Sequence, residues 1–151
     1  MLLAEEVGGL TELITKRFPD SMVHWFQEPV EPVAGDFVVM LKQEVRRSDS
    51  RSHTLLERQY TIGYYAGAVE AALYDMESLS RYVMNESTGS DEGAGAGMKP
   101  IRVESFTITS AERIENGLHK CQSTLQLQSR EPVMFRSQDK IKHMEFRTTN
   151  N

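Results

Sequence analysis

Residues 106–127 read FTITSAERIENGLHKCQSTLQL, and the Asn116-Gly117 pair inside this stretch decides the fold. An Asn-Gly pair between strand-like runs is the strongest short-range signal of a β-hairpin, because a type I′ turn needs positive φ at both central residues. The predicted register pairs Glu115 with Leu118, Ile108 with Leu125, and Phe106 with Leu127.

This register sorts the hairpin into an apolar face and a polar face, because side chains alternate along a strand. The apolar face is predicted to carry Phe106, Ile108, Ile114, Cys121, Leu125 and Leu127. The polar face is predicted to carry Thr107, Thr109, Arg113, Lys120, Gln122, Thr124 and Gln126. Neither face brings reactive side chains together. One face is therefore predicted to be buried in the core, and the other to be a polar surface of Thr and Gln.

A second hairpin is predicted from Phe37–Arg46 and Leu55–Tyr65. Apolar residues would meet across these two strands, in the arrangement that stabilises sheets. The predicted pairs are Val45 with Leu56, Leu41 with Tyr60, Val39 with Ile62, and Phe37 with Tyr64. The tip between the strands, Arg47–Thr54, reads RSDSRSHT, which is polar and longer than a tight turn requires. The pattern indicates a long hairpin that projects from the body.

Two amphipathic helices flank this second hairpin. The first follows apolar residues three or four apart from Leu3 to Phe18, and Pro19 ends it. Gly8-Gly9 weakens the middle of this stretch, which leaves two predicted starts for the helix, one at the beginning of the stripe and one near Leu10. A short strand, Met22–Gln27, follows. The second helix runs from Val69 to about Met84.

The element order is therefore helix, strand, hairpin, helix, hairpin. It predicts an α+β fold, with a largely antiparallel mixed sheet of about five strands and two helices packed on one face. Residues 1–131 are predicted to form one domain, and residues 85–99 a mobile loop. The tail, 132–151, is predicted to be either a last strand or an arm that packs on a neighbour.

Composition excludes several classes of function. The chain has 151 residues and a net charge of −5, which argues against duplex nucleic acid as the main partner. One cysteine, Cys121, excludes an internal disulfide, and its place on the apolar face predicts a buried small hydrophobe. The first residues lack the pattern of a signal peptide, and no run approaches the length of a membrane span.

The sequence predicts no catalytic residue, no cofactor site and no metal site. The four histidines are dispersed, and the GAGAG run at 93–97 lacks the Lys and Ser/Thr of a phosphate loop. Glu44 is predicted to lie opposite Glu57 in a solvated mosaic of charges with Arg46 and Arg58. Arginines at the hairpin end leave two interpretations open, a phosphate clamp or a protein-contact loop.

Three segments carry a resemblance to a known family. LITKRFPD (13–20), MVHWFQEPVEPVAGDFVVMLKQEVRRSDS (22–50) and RQYTIGYYAG (58–67) resemble the tail terminator proteins of long-tailed bacteriophages and prophages. In that family a helix ending in an Arg-Phe-Pro-like segment precedes a strand with an acidic turn, a hydrophobic strand and an aromatic-rich strand. An amphipathic helix and a final hairpin complete the pattern. The resemblance covers roughly Leu10–Glu131 and is carried by the order of elements.

The resemblance implies a structural protein and no enzyme. Tail terminators form a ring, usually of six subunits, on the head-proximal end of the tail tube. The ring stops tube growth and offers an interface to the head. The implied partners are other copies of the chain, the tail tube protein and a head-completion or connector protein, with DNA only passing through the lumen and no membrane. The implied location is the virion tail, after assembly in the bacterial host cytoplasm.

A ring needs head-to-tail contacts between two different surface patches. Two patches are predicted here, the hairpin end and the polar sheet face. Their predicted contact residues are Arg46, Arg47, Asp49, Arg51, Thr107, Thr109, Thr124 and Gln126. One alternative is a head–tail connector or another minor tail component. Another, from a different class, is a host domain that binds a small ligand in a cleft between helices and sheet.

Overall fold

The computed structural model describes residues 2–88 and 101–134. Its elements are α1 (Leu3–Arg17), β1 (Val23–Trp25), β2 (Phe37–Ser48), β3 (His53–Ala66), α2 (Val69–Thr88), β4 (Val103–Arg113) and β5 (His119–Pro132). The strands form one sheet in the order β1-β2-β3-β5-β4. The β1–β2 pair is parallel and the other pairs are antiparallel. The predicted α+β fold with a mixed sheet is confirmed.

Both helices pack on one side of the sheet, which we call the inner face; the opposite side is the outer face. Leu10 and Ile14 of α1 join Met76 and Leu79 of α2 in a single apolar core with the sheet, each at most 1% exposed. Burying each such side chain contributes roughly 1.5–3 kcal/mol. Cys121 is fully buried in this core as predicted, and burial raises the pKa of its thiol.

Helix α1 begins at the earlier of its two predicted starts, and α2 ends later than predicted. The alternative start near Leu10 is wrong, because Gly8-Gly9 lies inside a continuous helix. Gly9 has a packing reason: a Cβ there would lie 2.2 Å from Ile101 Cδ1. Pro19 does end α1, at Arg17. Helix α2 continues through residues 85–88, which were predicted as loop, and the rest of that predicted loop lies outside the described residues.

The β2–β3 register is partly as predicted. Phe37, Val39 and Leu41 face Tyr64, Ile62 and Tyr60. A bulge at Lys42 then adds one residue to β2, so Val45 lies opposite Glu57 instead of Leu56. The strands also extend further than predicted, which shortens the tip to residues 49–52. Strand β5 pairs with β3 along its whole length, so three strands reach the hairpin end.

The Asn116-Gly117 turn has the predicted positive φ at both residues, 64° and 72°. However, Glu115 belongs to the turn, and the Ile114 amide donates to the Leu118 carbonyl at 2.8 Å. The predicted Glu115–Leu118 pair is therefore wrong, because the loop has three residues.

Two bulges in β4 shift the rest of that register. They lie between Val103 and Ser105 and between Ile108 and Ser110. Phe106 consequently faces Leu125 and not Leu127, and Ile108 faces Ser123 and not Leu125. The second bulge also reverses the alternation toward the turn, since Ser110 and Glu112 pair with Gln122 and Lys120 of the outer face. Ile114 therefore lies on the outer face, and its predicted place on the apolar face is wrong.

Candidate assembly surfaces

The outer face is a polar surface on which neither described helix packs. Small polar side chains form rows across β3, β5 and β4, because the strands are in register. The rows are Thr61–Thr124–Thr107 and Gln59–Gln126–Ser105. Each of these side chains is exposed or half-buried. Uncharged hydroxyl and amide groups of this kind can exchange water for a protein partner at modest cost.

The structure brings together three of the four predicted contact residues on this face. Thr107 lies directly opposite Thr124, and Gln126 is the next outward-facing residue along β5. Thr109 differs, because it occupies the β4 bulge and its hydroxyl donates to the Gln122 carbonyl at 3.0 Å. We therefore keep Thr107, Thr124 and Gln126 as one surface and treat Thr109 as part of the strand's own bonding.

The predicted residues of the hairpin end are mostly paired within the chain. Arg46 bonds Glu131 at 3.0 Å, Arg47 bonds Glu57, and Asp49 bonds Arg130. Arg46 and Arg47 are successive strand residues, so they point to opposite faces and do not converge on one anion. Arg51 is the exposed cation of this end that has no ion-pair partner among the described residues. Of the two open interpretations, this geometry favours the protein-contact loop.

A buried ionic network joins α1 to the inner face, and sequence reasoning missed it. Arg58 is 3% exposed and contacts Glu6 at 3.0 Å and Glu44 at 2.7 Å. The Tyr60 hydroxyl donates to Glu6 at 2.7 Å, and burial followed by this bond raises the tyrosine pKa. The signal was present in the sequence: Glu6 sits four residues before Leu10 on the apolar stripe of α1.

Two predictions about these charges are corrected by the network. Glu44 lies opposite Arg58, and Glu57 lies opposite Val45, because of the bulge at Lys42. Arg58 is also not part of a solvated mosaic, since its side chain is buried, although its partner Glu44 is exposed. Glu6 and Tyr60 are almost fully buried too, at 2% and 0% exposed. The network can fasten the first turns of α1 to the sheet.

A third surface lies where the chain between β1 and β2 approaches the β4–β5 turn. The two segments border a groove of about 410 Å³ on the outer face. Its apolar lining is Pro29, Val30, Pro32 and Ile114, with Tyr65 also in the wall. Its acidic residues are Glu28, Glu112 and Glu115. We call this feature the acid-rimmed groove. Val30 is 90% exposed.

Specific contacts hold the groove's shape. Lys120 reaches Glu28 at 2.6 Å and thereby ties β5 to the β1–β2 connection. Its stem crosses Gly63, where a Cβ would lie 2.7 Å from Lys120 Cε. The connection returns to the sheet through Gly35, whose positive φ of 101° suits glycine and whose amide donates to the Tyr65 carbonyl. The sequence signal for the groove was the alternation of acidic and apolar residues in QEPVEPV, 27–33.

The described residues contain no arrangement typical of a metal centre. Within residues 2–88 and 101–134, no three His, Cys, Asp or Glu side chains are grouped as metal binding would require. Neither α1 nor α2 is long and apolar enough to cross a membrane.

No protein-family model matches the chain, and no curated protein matches it. Among solved structures, the chain is similar to one from the virion of a native gene transfer agent (GTA) particle. The two are 13% identical, the match covers 81% of this chain and 92% of the other, and the TM-score is 0.47. A likeness of this size says nothing about function.

Proposed function

We propose that this chain is a structural protein of a phage-type tail and acts as a tail terminator. In this role, copies of the chain form a ring, six in the usual arrangement, on the head-proximal end of the tail tube. The ring stops polymerisation of the tube protein and offers an interface to a head-completion or connector protein. The proposal includes no catalytic step, no cofactor and no contact with DNA beyond its passage through the lumen.

The observation that carries the proposal is the polar outer face. Both helices lie on the inner face, and the outer face presents Thr and Gln rows. A sheet of five strands with this composition can bury against a neighbour through many small hydrogen bonds without placing charges in the contact. Thr107, Thr124 and Gln126 are the residues that we assign to a subunit contact.

The distribution of the other surfaces supports a ring. A closed ring requires two different patches that meet head to tail. The hairpin end with Arg51 and the acid-rimmed groove lie at opposite ends of β3 and β5, because Ser52 precedes β3 and Tyr65 is near its end. Patches at opposite ends of one sheet allow copies to follow one another around a circle.

The packing of the core does not support the alternative function, a host domain that binds a small ligand. A host domain that binds a small ligand between helices and sheet needs a cleft there. Ile14, Met76 and Leu79 lie at the centre of this layer and are each 0% exposed, so they leave no cleft there. A head–tail connector or another minor tail component would use similar surfaces, and only its partner would differ.

Light scattering after size-exclusion chromatography, followed by cosedimentation with purified tail tubes, tests the proposal. We expect a ring-sized species alone or on tubes, with a fixed small number of copies per tube. A chain that stays monomeric and does not sediment with tubes would contradict the proposal. Binding along the whole tube would instead indicate another tail component. Replacing Thr107 and Thr124 by Lys should abolish tube-bound rings while circular dichroism stays unchanged.

A further inference from the structure

The acid-rimmed groove has the features of a docking site for a basic and apolar segment. Glu28 is neutralised by Lys120. Glu112 and Glu115 are exposed and have no cationic partner among the described residues. Val30 and Ile114 add apolar surface between these acids. A segment that alternates cations with apolar side chains would satisfy both parts of the groove.

The chain itself contains such a segment. Residues 135–151 read FRSQDKIKHMEFRTTNN, with four Lys or Arg against two Asp or Glu. Lys140, Ile141 and Lys142 alternate charge with an apolar side chain, and Met144 and Phe146 follow. The point from which this segment starts is known, because the Val133 amide donates to the Ser52 carbonyl at the hairpin end. Met134, the last described residue, is 86% exposed.

The length of this segment decides whether it can occupy the groove of its own copy or only that of another copy. Pro132 and Lys120 are twelve residues apart on β5, and at ~3.4 Å per residue they lie about 41 Å from one another. Ile141 is seven residues beyond Met134, and a fully extended chain of that length spans at most about 25 Å. Met144, ten residues on, reaches at most about 36 Å. The part of the segment up to Met144, which includes Lys140 and Lys142, therefore falls short of the groove on its own chain, whereas the groove of an adjacent copy is available to it.

We propose that residues 135–151 of one copy dock in the acid-rimmed groove of the next copy, with Lys140 and Lys142 beside Glu112 and Glu115. This inference rests on the self-assembly proposed above and specifies the contact that joins neighbours. The contact is head to tail, because the segment leaves from the hairpin end and the groove lies at the other end of the sheet.

Peptide binding tests this contact without requiring a ring. A fluorescently labelled synthetic peptide of residues 135–151 is titrated with the dilute full-length chain, and anisotropy is measured. We expect saturable binding. The groove variant Glu112→Lys/Glu115→Lys should bind roughly tenfold or more weakly, because two attractions become repulsions. A Lys140→Glu/Lys142→Glu peptide should fail on the wild-type chain and regain binding on the groove variant.

A matched control separates the groove from net charge. Glu70→Lys/Glu86→Lys makes the same charge change at exposed positions of α2, on the other side of the sheet, and should leave binding unchanged. No binding by the wild-type peptide would overturn the proposal. Equal weakening by the groove and control variants, or equal binding of a scrambled peptide, would overturn it too.

The same variants distinguish this inference from the proposed function. If the groove variant still caps tail tubes and the peptide does not bind, the terminator role stands and the docking contact is wrong. If the peptide binds at the groove and the chain never associates with tubes, the docking contact stands and the terminator role is wrong.

Discussion

Arg58 is a charged side chain inside the core, and its partners make this possible. A buried charge is tolerated when it is paired and hydrogen-bonded, and removing one partner leaves the other uncompensated. Here Arg58 forms ion pairs with Glu6 from α1 and Glu44 from β2, and the Tyr60 hydroxyl donates a hydrogen bond to Glu6. The network thus fixes where α1 begins on the sheet.

We expect Arg58→Ala to lower the free energy of unfolding by about 3–5 kcal/mol, since Glu6 would remain buried without its cation. Urea unfolding followed by circular dichroism measures the change. Arg51→Ala is the control, because that exposed residue should alter stability by no more than about 0.5 kcal/mol. A loss below about 1 kcal/mol for Arg58→Ala would show that the network does not hold α1.

Gly63 provides a second prediction at this scale. An alanine Cβ would lie 2.7 Å from Lys120 Cε and 2.9 Å from Val38 Cγ1, so Gly63→Ala should displace the lysine that ties Glu28 to the sheet. Overpacking of this kind costs roughly 1–3 kcal/mol, which thermal unfolding would detect. Gly67→Ala is the matched control, because a Cβ there meets nothing within 4 Å. Equal effects of the two substitutions would contradict the account.

At the level of elements, hydrophobic periodicity predicted the features that depend on residues close together in the sequence. The helices, the two hairpins and their order follow from spacing and from the positive φ of Asn116 and Gly117. Register was less predictable, because the bulge at Lys42 and the two bulges in β4 leave no clear mark in the sequence. Each bulge shifts every later pair by one residue, which is why Ile114 was assigned to the wrong face.

The candidate assembly surfaces show the same division. The Thr and Gln face was predictable, since alternation alone places Thr107 and Thr124 on the same face, although the predicted register did not pair them directly as the structure does. The acid-rimmed groove was not, because QEPVEPV marks only one of its walls, and the other wall is a turn about eighty residues later. The place of Glu6 on the apolar stripe of α1 likewise indicated burial, but its partner Arg58 is distant in sequence, so the pair was missed.

The hairpin end makes an element-scale prediction. The tip is only residues 49–52, and the strands beside it are held by β5. Replacing residues 50–52 with Asn-Gly should preserve the fold, because Asp49 already bonds His53 across the tip and a two-residue turn suits a hairpin. We expect this variant to keep its circular dichroism spectrum and to lose association with tail tubes, as cosedimentation would show. Unimpaired association would remove the tip from the assembly contact.

At the scale of the whole molecule, the residues that stabilise the fold lie apart from the surfaces that we propose for assembly. The inner face contains the helices, the apolar core and the buried ionic network. The outer face, the hairpin end and the groove contain the polar and acidic side chains that the core does not use. A protein organised in this way can form several different contacts at once, as a ring on a tube requires.

The central claim is that the chain ends the growth of a tail tube. The most direct measurement is tube elongation: purified tubes are incubated with the chain, labelled tube protein is added, and electron microscopy records where new length appears. If the chain is a tail terminator, we expect a ring at one end of each tube and no labelled growth from that end. Continued growth from both ends in the presence of saturating chain would contradict it.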